Sequence, residues 1–220
     1  MRSIKRVLTQ VTLTAALTAA LTACGAPGET DSISMEGRQS LRADVERQVL
    51  NELPDEVASI QRGNIQLSLS LMDEARERDQ NQMISAYSIR TAFAQVYAGA
   101  RNSTATEINE VLNFNLEGDD FHTAMNAVDQ ALDTRNLDAE GPLEAVELHT
   151  ANTFWGSNQL NWRDEYLGVL GRHYGAGIEA IDFAADPEAA RAVINQWVED
   201  HTESRIKELL PRRSIRESTA

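Results

Sequence analysis

Residues 194–206 read INQWVEDHTESRI, and this stretch decides the fold. It lies in a predicted helix that begins with Asp186 as N-cap and Pro187 at the first helical position, and that ends before Pro211. Apolar residues recur along it at helical spacing, so one face is expected to be buried. The members of that face are Val193, Ile194, Trp197 and Val198, with His201 as a further candidate.

Two strands and another helix are predicted immediately upstream. Glu144–Trp155 alternates apolar and polar side chains and becomes apolar on both faces toward its end, which is typical of a strand that grows more buried. Ile178–Phe183 is predicted to be a second, shorter strand. The helix between them carries Trp162 and Tyr174 on its apolar face and is stopped by Gly175.

Residues 81–99 are predicted to form a short strand followed by a helix. Asn81–Ile84 is the strand candidate, Ser85 is the N-cap of the helix, and Gly99 closes it. The apolar face of this helix is predicted to hold Ile89, Phe93, Val96 and Tyr97.

Two further helices are predicted between residues 104 and 132. Thr104 and Glu107 form a capping box at the start of the first one. The second helix begins near Asp120, and a loop follows it over Asp133–Pro142. The side chains that this second helix is expected to bury are Phe121, Met125, Val128 and Leu132.

The region before residue 72 contains one clear pattern and one ambiguous pattern. Between Leu41 and Leu53 an apolar residue recurs every four positions up to Pro54, which predicts an amphipathic helix. Val57–Leu71 fits both an alternating strand and a helical stripe, so its local pattern leaves the two open. Strands separated by runs of helices indicate the α+β class.

Four passages together resemble the serpin family. They are MISAYSI at 83–89, GARNSTATEI at 99–108, ANTFW at 151–155 and INQWVEDHTESRI at 194–206. The resemblance covers roughly residues 60–220 and implies an α+β fold in which helices pack on a central mixed β-sheet. It also implies that Ile65–Leu71 is helical and that both strands predicted within residues 144–183 belong to the central sheet. The family-motif residues with implied structural roles are Asn152, Trp155, Asn195, Trp197 and Thr202.

Two serines occupy a position to which the resemblance gives a special meaning. Ser85 and Ser88 fall where serpins place small polar residues beneath the point at which the sheet opens, a region called the shutter. The proline usual after the first serine is Ala86 in this chain. A helix cap and a packed small residue are the alternative interpretation of the two serines.

The resemblance implies a function without catalysis. Serpins inhibit serine proteases and some cysteine proteases by offering a bait loop, which the protease cleaves and which then inserts as a strand into the central sheet. The expected partner of a full-length form is thus a target protease, and the protein itself is not expected to be an enzyme. In this family the bait loop and the strands that receive it follow the crossing helix, so residues 40–220 are expected to be the N-terminal part of the domain, without the bait loop or the C-terminal strands. The alternative is a non-inhibitory surface interaction module or a truncated gene product.

Composition excludes several other functions. The formal charge of −14 lacks the basic face that phosphate contacts require, so nucleic acid is not expected as a partner. The four histidines have no metal-ligand spacing, Cys24 is the single cysteine, and no Gly-x-Ser-x-Gly motif occurs, so no metal, cofactor or catalytic site is expected. Trp155, Trp162 and Trp197 are interpreted as core residues in preference to a ligand site.

The N-terminus has the features of a bacterial lipoprotein signal. Three basic residues precede the apolar stretch Val7–Leu21, and Leu21–Gly25 resembles a lipobox in which the thiol of Cys24 would take a diacylglycerol. Residues 1–23 are therefore predicted to be the signal peptide, and residues 24–39 a flexible tether. The mature protein is expected to be exported and lipid-anchored at Cys24 to a bacterial membrane, facing the periplasm or the exterior.

Overall fold

The computed structural model describes residues 37–75, 81–135, 148 and 150–219. The elements in these ranges, in chain order, are β1 (Gln39–Leu41), α1 (Val57–Glu74), α2 (Ala86–Gly99), α3 (Asn102–Val111), α4 (Gly118–Asp133), β2 (Phe154–Ser157), α5 (Asp164–Tyr174), β3 (Ile178–Ile181) and α6 (Pro187–His201). The predicted signal peptide, Cys24 and the tether up to residue 36 lie outside the described residues. No helix in the described ranges combines the length and the apolar character needed to cross a bilayer.

The three strands form one mixed sheet in the order β1-β3-β2. β1 pairs with β3 in antiparallel orientation, whereas β2 pairs with β3 in parallel orientation. All four residues of β3 are buried, since neighbours cover the strand on both sides and on both faces. The parallel pair needs a crossover connection, and α5 supplies it. Helices packed on a mixed sheet confirm the predicted α+β class.

The local signals at the ends of α5 and α6 are confirmed. The Asp186 carboxylate accepts hydrogen bonds from the backbone N–H groups of Glu188 (3.1 Å) and Ala189 (2.9 Å), and Pro187 opens α6. Gly175 ends α5 with φ of +59°, in the left-handed region that glycine enters without strain. His201 is exposed and therefore not part of the buried face, and its ring stacks on Trp197 at a centroid distance of 4.0 Å.

The ambiguous segment before residue 72 is helical, as the family resemblance implies. α1 buries Val57, Ile60, Gly63 and Leu67, which follow each other at helical spacing. The alternating residues Ile65 and Leu69, which would form the inner face of a strand, are 62% and 68% exposed.

The predicted buried face of α2 is wrong. Phe93 and Val96 are 43% and 39% exposed, and Ile89 and Tyr97 are only partly buried. The residues that α2 buries are Ala86, Arg90, Thr91, Ala94, Gln95 and Ala98. Ala86, Ala94 and Ala98 lie on one face of α2 at multiples of four residues, and their small side chains let the helix backbone approach its neighbours closely.

The predicted helix over Leu41–Leu53 is also wrong. We call residues 37–53 the N-terminal strap, because after β1 the chain runs without regular structure across the rest of the domain. The strap's backbone groups bond to distant partners instead of to each other: Gln48 N–H donates to Arg172 O (2.8 Å), and Gln48 O accepts from Asn126 Nδ2 (2.8 Å). Val49 and Leu53 are 77% and 61% exposed, so the period-four pattern does not correspond to a buried face.

Three smaller predictions need correction. Asn81–Ile84 is irregular, since no strand among the described residues pairs with it. Residues 150–153 are not strand either, so β2 begins at Phe154, where pairing with β3 begins, and residues 144–147 and 149 lie outside the description. The Thr104 capping box does not form, because α3 begins two residues earlier.

The helix predicted near Asp120 is confirmed as α4, which begins at Gly118. It buries Phe121 and Met125 as expected, whereas Val128 and Leu132 are half-buried. The Phe121 ring stacks on that of Phe114 at 4.2 Å in the core shared by α1, α2 and α4. A second cluster joins α6 to the end of β3 through Ile181, Phe183, Val193 and Ile194.

Candidate functional site

A pocket of about 890 Å³ lies where the chain leads into β2. We call it the β2-edge pocket, because β2 is an edge strand among the described strands. Four residues singled out from the sequence meet in its lining: Ser85, Ser88, Asn152 and Thr202. The elements that supply them are the start of α2, the chain before β2 and the end of α6, which are far apart in sequence. Apolar walls come from Val128, Leu132, Leu148 and Ile206.

The two serines hold the first turn of α2. Ser85 has an extended backbone, and its hydroxyl accepts a hydrogen bond from Ser88 N–H at 3.2 Å. The two hydroxyl oxygens lie 2.9 Å apart, so one donates to the other. Ser85 is therefore the N-cap that the sequence predicts. Both serines are exposed toward the pocket, and their shutter role stays a prediction.

Thr202 closes the end of α6 at the opposite wall. Its hydroxyl donates to Val198 O (2.8 Å) and accepts from Ile206 N–H (3.1 Å). This pair of bonds fixes the turn that leads the chain out of α6 and along the pocket. Thr202 thus positions the wall, while its own hydrogen-bonding capacity is used within the protein.

Asn195 performs a similar task farther along the same segment. Its amide donates to Leu210 O (2.9 Å) and accepts from Leu210 N–H (2.8 Å), and the side chain is 93% buried. A two-sided amide contact of this kind satisfies both backbone groups of Leu210. The chain after α6 is therefore held against the helix.

Trp155 and Trp197 lie against each other, not in the pocket. Their rings meet edge to face at a centroid distance of 6.4 Å, which joins β2 to α6. Packing is therefore the role that the geometry gives both residues, as the sequence analysis expected. Trp162, by contrast, lines a second pocket beside β2.

Asn152 and Asn64 have amide groups at the β2-edge pocket that could form further hydrogen bonds. The Asn152 side chain forms no hydrogen bond with the other described residues, and it is half-buried. Asn64 Oδ1 is buried without a partner among these residues and also belongs to the lining. Amides contribute both donors and acceptors, so this wall is suited to binding an extended polypeptide backbone.

A charged network backs the pocket at Tyr87. The Tyr87 hydroxyl donates to Asp129 Oδ1 (2.7 Å), and Arg47 of the strap pairs with Asp129 Oδ2 (2.6 Å). Burial, followed by the Asp129 contact, raises the pKa of Tyr87 far above its usual value. Tyr87 therefore stays neutral and acts as a hydrogen-bond donor at physiological pH.

Arg90 is a buried charge that sequence reasoning missed. It is fully buried, and Nη2 donates to the carbonyls of Leu112 (2.8 Å) and Asn113 (3.1 Å) at the end of α3. Burial lowers the pKa of Arg90 to about 10. One sequence signal could have located it. Positions 86, 90, 94 and 98 lie on one face of the helix, and Arg90 is the only one of the four that is not alanine.

The chemistry of the pocket favours binding. Its polar lining consists mainly of hydroxyl and amide groups, which form hydrogen bonds without activating a nucleophile. Among the residues that the structure describes, no group of three or more histidine, cysteine or carboxylate side chains could hold a metal ion. The hydroxyl and amide groups of the lining can therefore bind a ligand through hydrogen bonds.

Comparison with known proteins identifies the class. The family model of serpins, the serine protease inhibitors, matches residues 62–220. Serpin B3 of Homo sapiens is 30% identical over 170 residues, which are 73% of this chain and 44% of Serpin B3. The leukocyte elastase inhibitor of Equus caballus is 32% identical over 149 residues, which are 67% of this chain and 37% of that protein.

A solved structure agrees with these relatives. The crystal structure of uncleaved ovalbumin aligns with a TM-score of 0.62 at 25% identity, over 74% of this chain and 42% of ovalbumin. The chain therefore belongs to the serpin family and has its fold. It spans less than half the length of these relatives, and the matched region begins after the N-terminal strap.

Proposed function

We propose that the full-length protein inhibits a serine or cysteine protease and acts at a bacterial membrane surface, to which a lipid on Cys24 anchors it. Family membership supports the inhibitory part, as does the similarity to a protein named leukocyte elastase inhibitor. The lipobox-like sequence at Leu21–Gly25 supports the anchor. The protein itself contributes no catalytic group to this reaction.

The observation that carries the proposal is the position of β2, which is an edge strand among the described strands and lies next to the β2-edge pocket. The strands that are expected to follow α6 in the full-length protein, and that receive the bait loop in this family, could pair with the outer N–H and C=O groups of β2. Ser85, Ser88 and Asn152 contribute short polar side chains to the pocket where the chain leads into β2. These side chains would provide hydrogen-bond partners for a strand that adds on this side of the sheet.

The covalent step would belong to the protease. Its serine Oγ or cysteine Sγ attacks the carbonyl carbon of the scissile peptide bond in the bait loop, the C–N bond breaks, and the new amine leaves with a proton. Loop insertion then carries the acylated protease away before water can hydrolyse the ester or thioester. The product is one stable covalent complex for each inhibitor consumed.

Protein made from the complete gene tests this mechanism. We expect trypsin, chymotrypsin, elastase or papain to form a complex of the combined mass that survives denaturation in SDS. The same protease with its nucleophile chemically blocked should form none. Cleavage of the protein by all four proteases, with their activity fully retained, would contradict inhibition and favour the non-inhibitory surface module.

A pair of asparagine variants tests the β2-edge pocket itself. Asn152→Ala should shift the products from complex toward cleaved inhibitor, because the pocket loses an amide that forms no hydrogen bond with other described residues. Asn158→Ala changes an asparagine in the turn after β2, outside the pocket lining, and should leave the product ratio unchanged. If both variants gave the same ratio of complex to cleaved inhibitor, the pocket would take no part in the reaction.

The anchor is tested separately by changing its thiol. The native chain expressed in a bacterium should partition into the detergent phase and incorporate labelled fatty acid, and Cys24→Ser should abolish both. Thr22→Ser keeps a small residue in the lipobox and is the matched control. Detergent partitioning that persists in Cys24→Ser would refute the lipid anchor.

A further inference from the structure

A second pocket of about 540 Å³ lies at the N-terminal end of α5, between the end of α2 and the start of β2. We call it the aromatic pocket, because Phe154, Trp162 and Tyr166 form its walls. All three rings are half-buried, so part of each faces the pocket. A volume of this size accommodates a small organic molecule.

Hydrogen bonds to the backbone hold the rings in place. Trp162 Nε1 donates to Ser157 O, and the Tyr166 hydroxyl donates to Gln95 O, each at 3.1 Å. The Trp162 and Tyr166 rings lie 27° from parallel at a centroid distance of 6.1 Å, and Phe154 meets Trp162 edge to face at 5.9 Å. Because each polar ring atom is already paired, the pocket presents preorganised aromatic faces.

Two glycines leave room for these rings. A Cβ on Gly99 would lie 3.3 Å from the Tyr166 ring, and a Cβ on Gly156 would overlap the Trp162 indole. The Gly156 backbone therefore approaches Trp162 more closely than a residue with a side chain permits, and a side chain at Gly99 would fit only tightly against Tyr166. The two rings therefore pack against backbone on one side, and their other side faces the pocket.

The rim of the aromatic pocket is cationic. Arg101 and Arg163 both line it, in a chain whose net charge is −14. Arg101 Nη1 donates to Ala98 O and Ala100 O, which fixes that guanidinium at the end of α2. The Arg163 side chain forms no hydrogen bond or ion pair with other described residues and is exposed. Glu165, the one carboxylate in the lining, leaves the rim with a net positive charge.

We propose that the aromatic pocket binds a small planar aromatic carboxylate. The ligand's ring would stack among Trp162, Tyr166 and Phe154, and its carboxylate would accept hydrogen bonds from Arg163. Guanidinium groups bind carboxylates in a two-pronged geometry, and stacking on fixed aromatic faces requires a flat ligand. None of the residues that the proposed inhibitory function uses belongs to this pocket.

Binding of 2-naphthoate to the full chain tests the proposal, with the neutral 2-naphthalenemethanol as the matched ligand. We expect saturable quenching of tryptophan fluorescence and a calorimetric dissociation constant in the millimolar range or below. Arg163→Gln should weaken naphthoate binding at least fivefold and change the binding of the alcohol less than twofold. Arg62→Gln, on α1 and outside the pocket, should change neither.

Trp162→Phe locates the site. It keeps an aromatic ring, so calorimetric binding should persist while the fluorescence change disappears, because Trp155 and Trp197 pack on each other elsewhere. The proposal is overturned if naphthoate does not bind saturably, or if the alcohol binds equally well. It is also overturned if Arg62→Gln reproduces the effect of Arg163→Gln, or if the fluorescence change survives in Trp162→Phe.

Discussion

A single buried guanidinium connects α2 to the end of α3. Arg90 occupies a helix face otherwise made of small residues, and the Cζ atom lies 5.2 Å from the centre of the Phe114 ring. Its Nη2 donates to the carbonyls of the two residues that follow α3, which accept no hydrogen bond within that helix. Nε and Nη1 are buried without partners among the described residues, so the arrangement depends on that one nitrogen.

Replacing Arg90 tests this arrangement. Arg90→Met keeps much of the volume but leaves the Leu112 carbonyl unpaired, whereas Asn113 O still accepts from Asn115 Nδ2 at 3.0 Å. An unpaired buried carbonyl costs about 1–3 kcal/mol. We expect the free energy of unfolding in urea to fall by about 1–3 kcal/mol. The exposed Arg62→Met should change it by less than about 0.5 kcal/mol. Equal stability of the two variants would show that Arg90 is replaceable packing.

Elements differ in how far local sequence determines them. Asp186 and Pro187 start α6, and Gly175 ends α5, because each acts on backbone groups within two or three residues of itself. The strap could not be predicted in this way, since Gln48 bonds to Arg172 and Asn126, which a local pattern does not reveal. The face of α2 was mispredicted for the same reason, because Arg90 is buried by partners on another helix.

The contact between the strap and α5 offers a matched pair of glycines. A Cβ at Gly171 would lie 2.6 Å from Val45 Cγ2 of the strap, whereas a Cβ at Gly168 meets nothing within 4 Å. Alanine in place of glycine within a helix stabilises it by about 0.5–1 kcal/mol. Gly168→Ala should therefore raise the free energy of unfolding by that amount.

Gly171→Ala should behave in the opposite way. It gains the same helical preference but pushes Val45 aside, so we expect lower stability and faster hydrogen exchange at the Gln48 amide, which is bonded to Arg172 O. Urea unfolding and amide exchange measure the two effects. Stabilisation by both alanines to the same degree would mean that the strap does not pack on α5.

Two buried histidines make the stability of the whole domain depend on pH. His122 Nδ1 lies 2.6 Å from the Tyr174 hydroxyl, and His173 Nε2 lies 3.0 Å from Asp119 Oδ1. Burial, and then the nearby His173, lowers the pKa of His122 to about 4 against the small opposing effect of Asp119. Burial also lowers the pKa of His173, although Asp119 opposes it. The unfolded chain therefore takes up protons before the folded one does.

The contribution of these histidines to the free energy of unfolding should be fully present above their unfolded pKa of about 6.5. It should fall as the pH drops toward 4. Between pH 7 and pH 5, His122 alone should cost about 1.8 kcal/mol of unfolding free energy. His122→Gln keeps a partner for Tyr174 and should remove that part of the slope in urea unfolding. His201→Gln, at an exposed site, should keep it, and an unchanged slope in His122→Gln would contradict the assignment.

The strap affects the order in which parts of the domain fold. Ser40 donates to Glu179 at 3.0 Å across 139 positions of sequence, and among the described strands β1 pairs with β3 alone. The residues of β1 therefore leave the ribosome long before their partners do, and contacts so distant in sequence form slowly. During synthesis the edge of β3 that faces β1 remains unpaired until β1 joins it. The first segment of the described fold to be made is thus among the last to be folded.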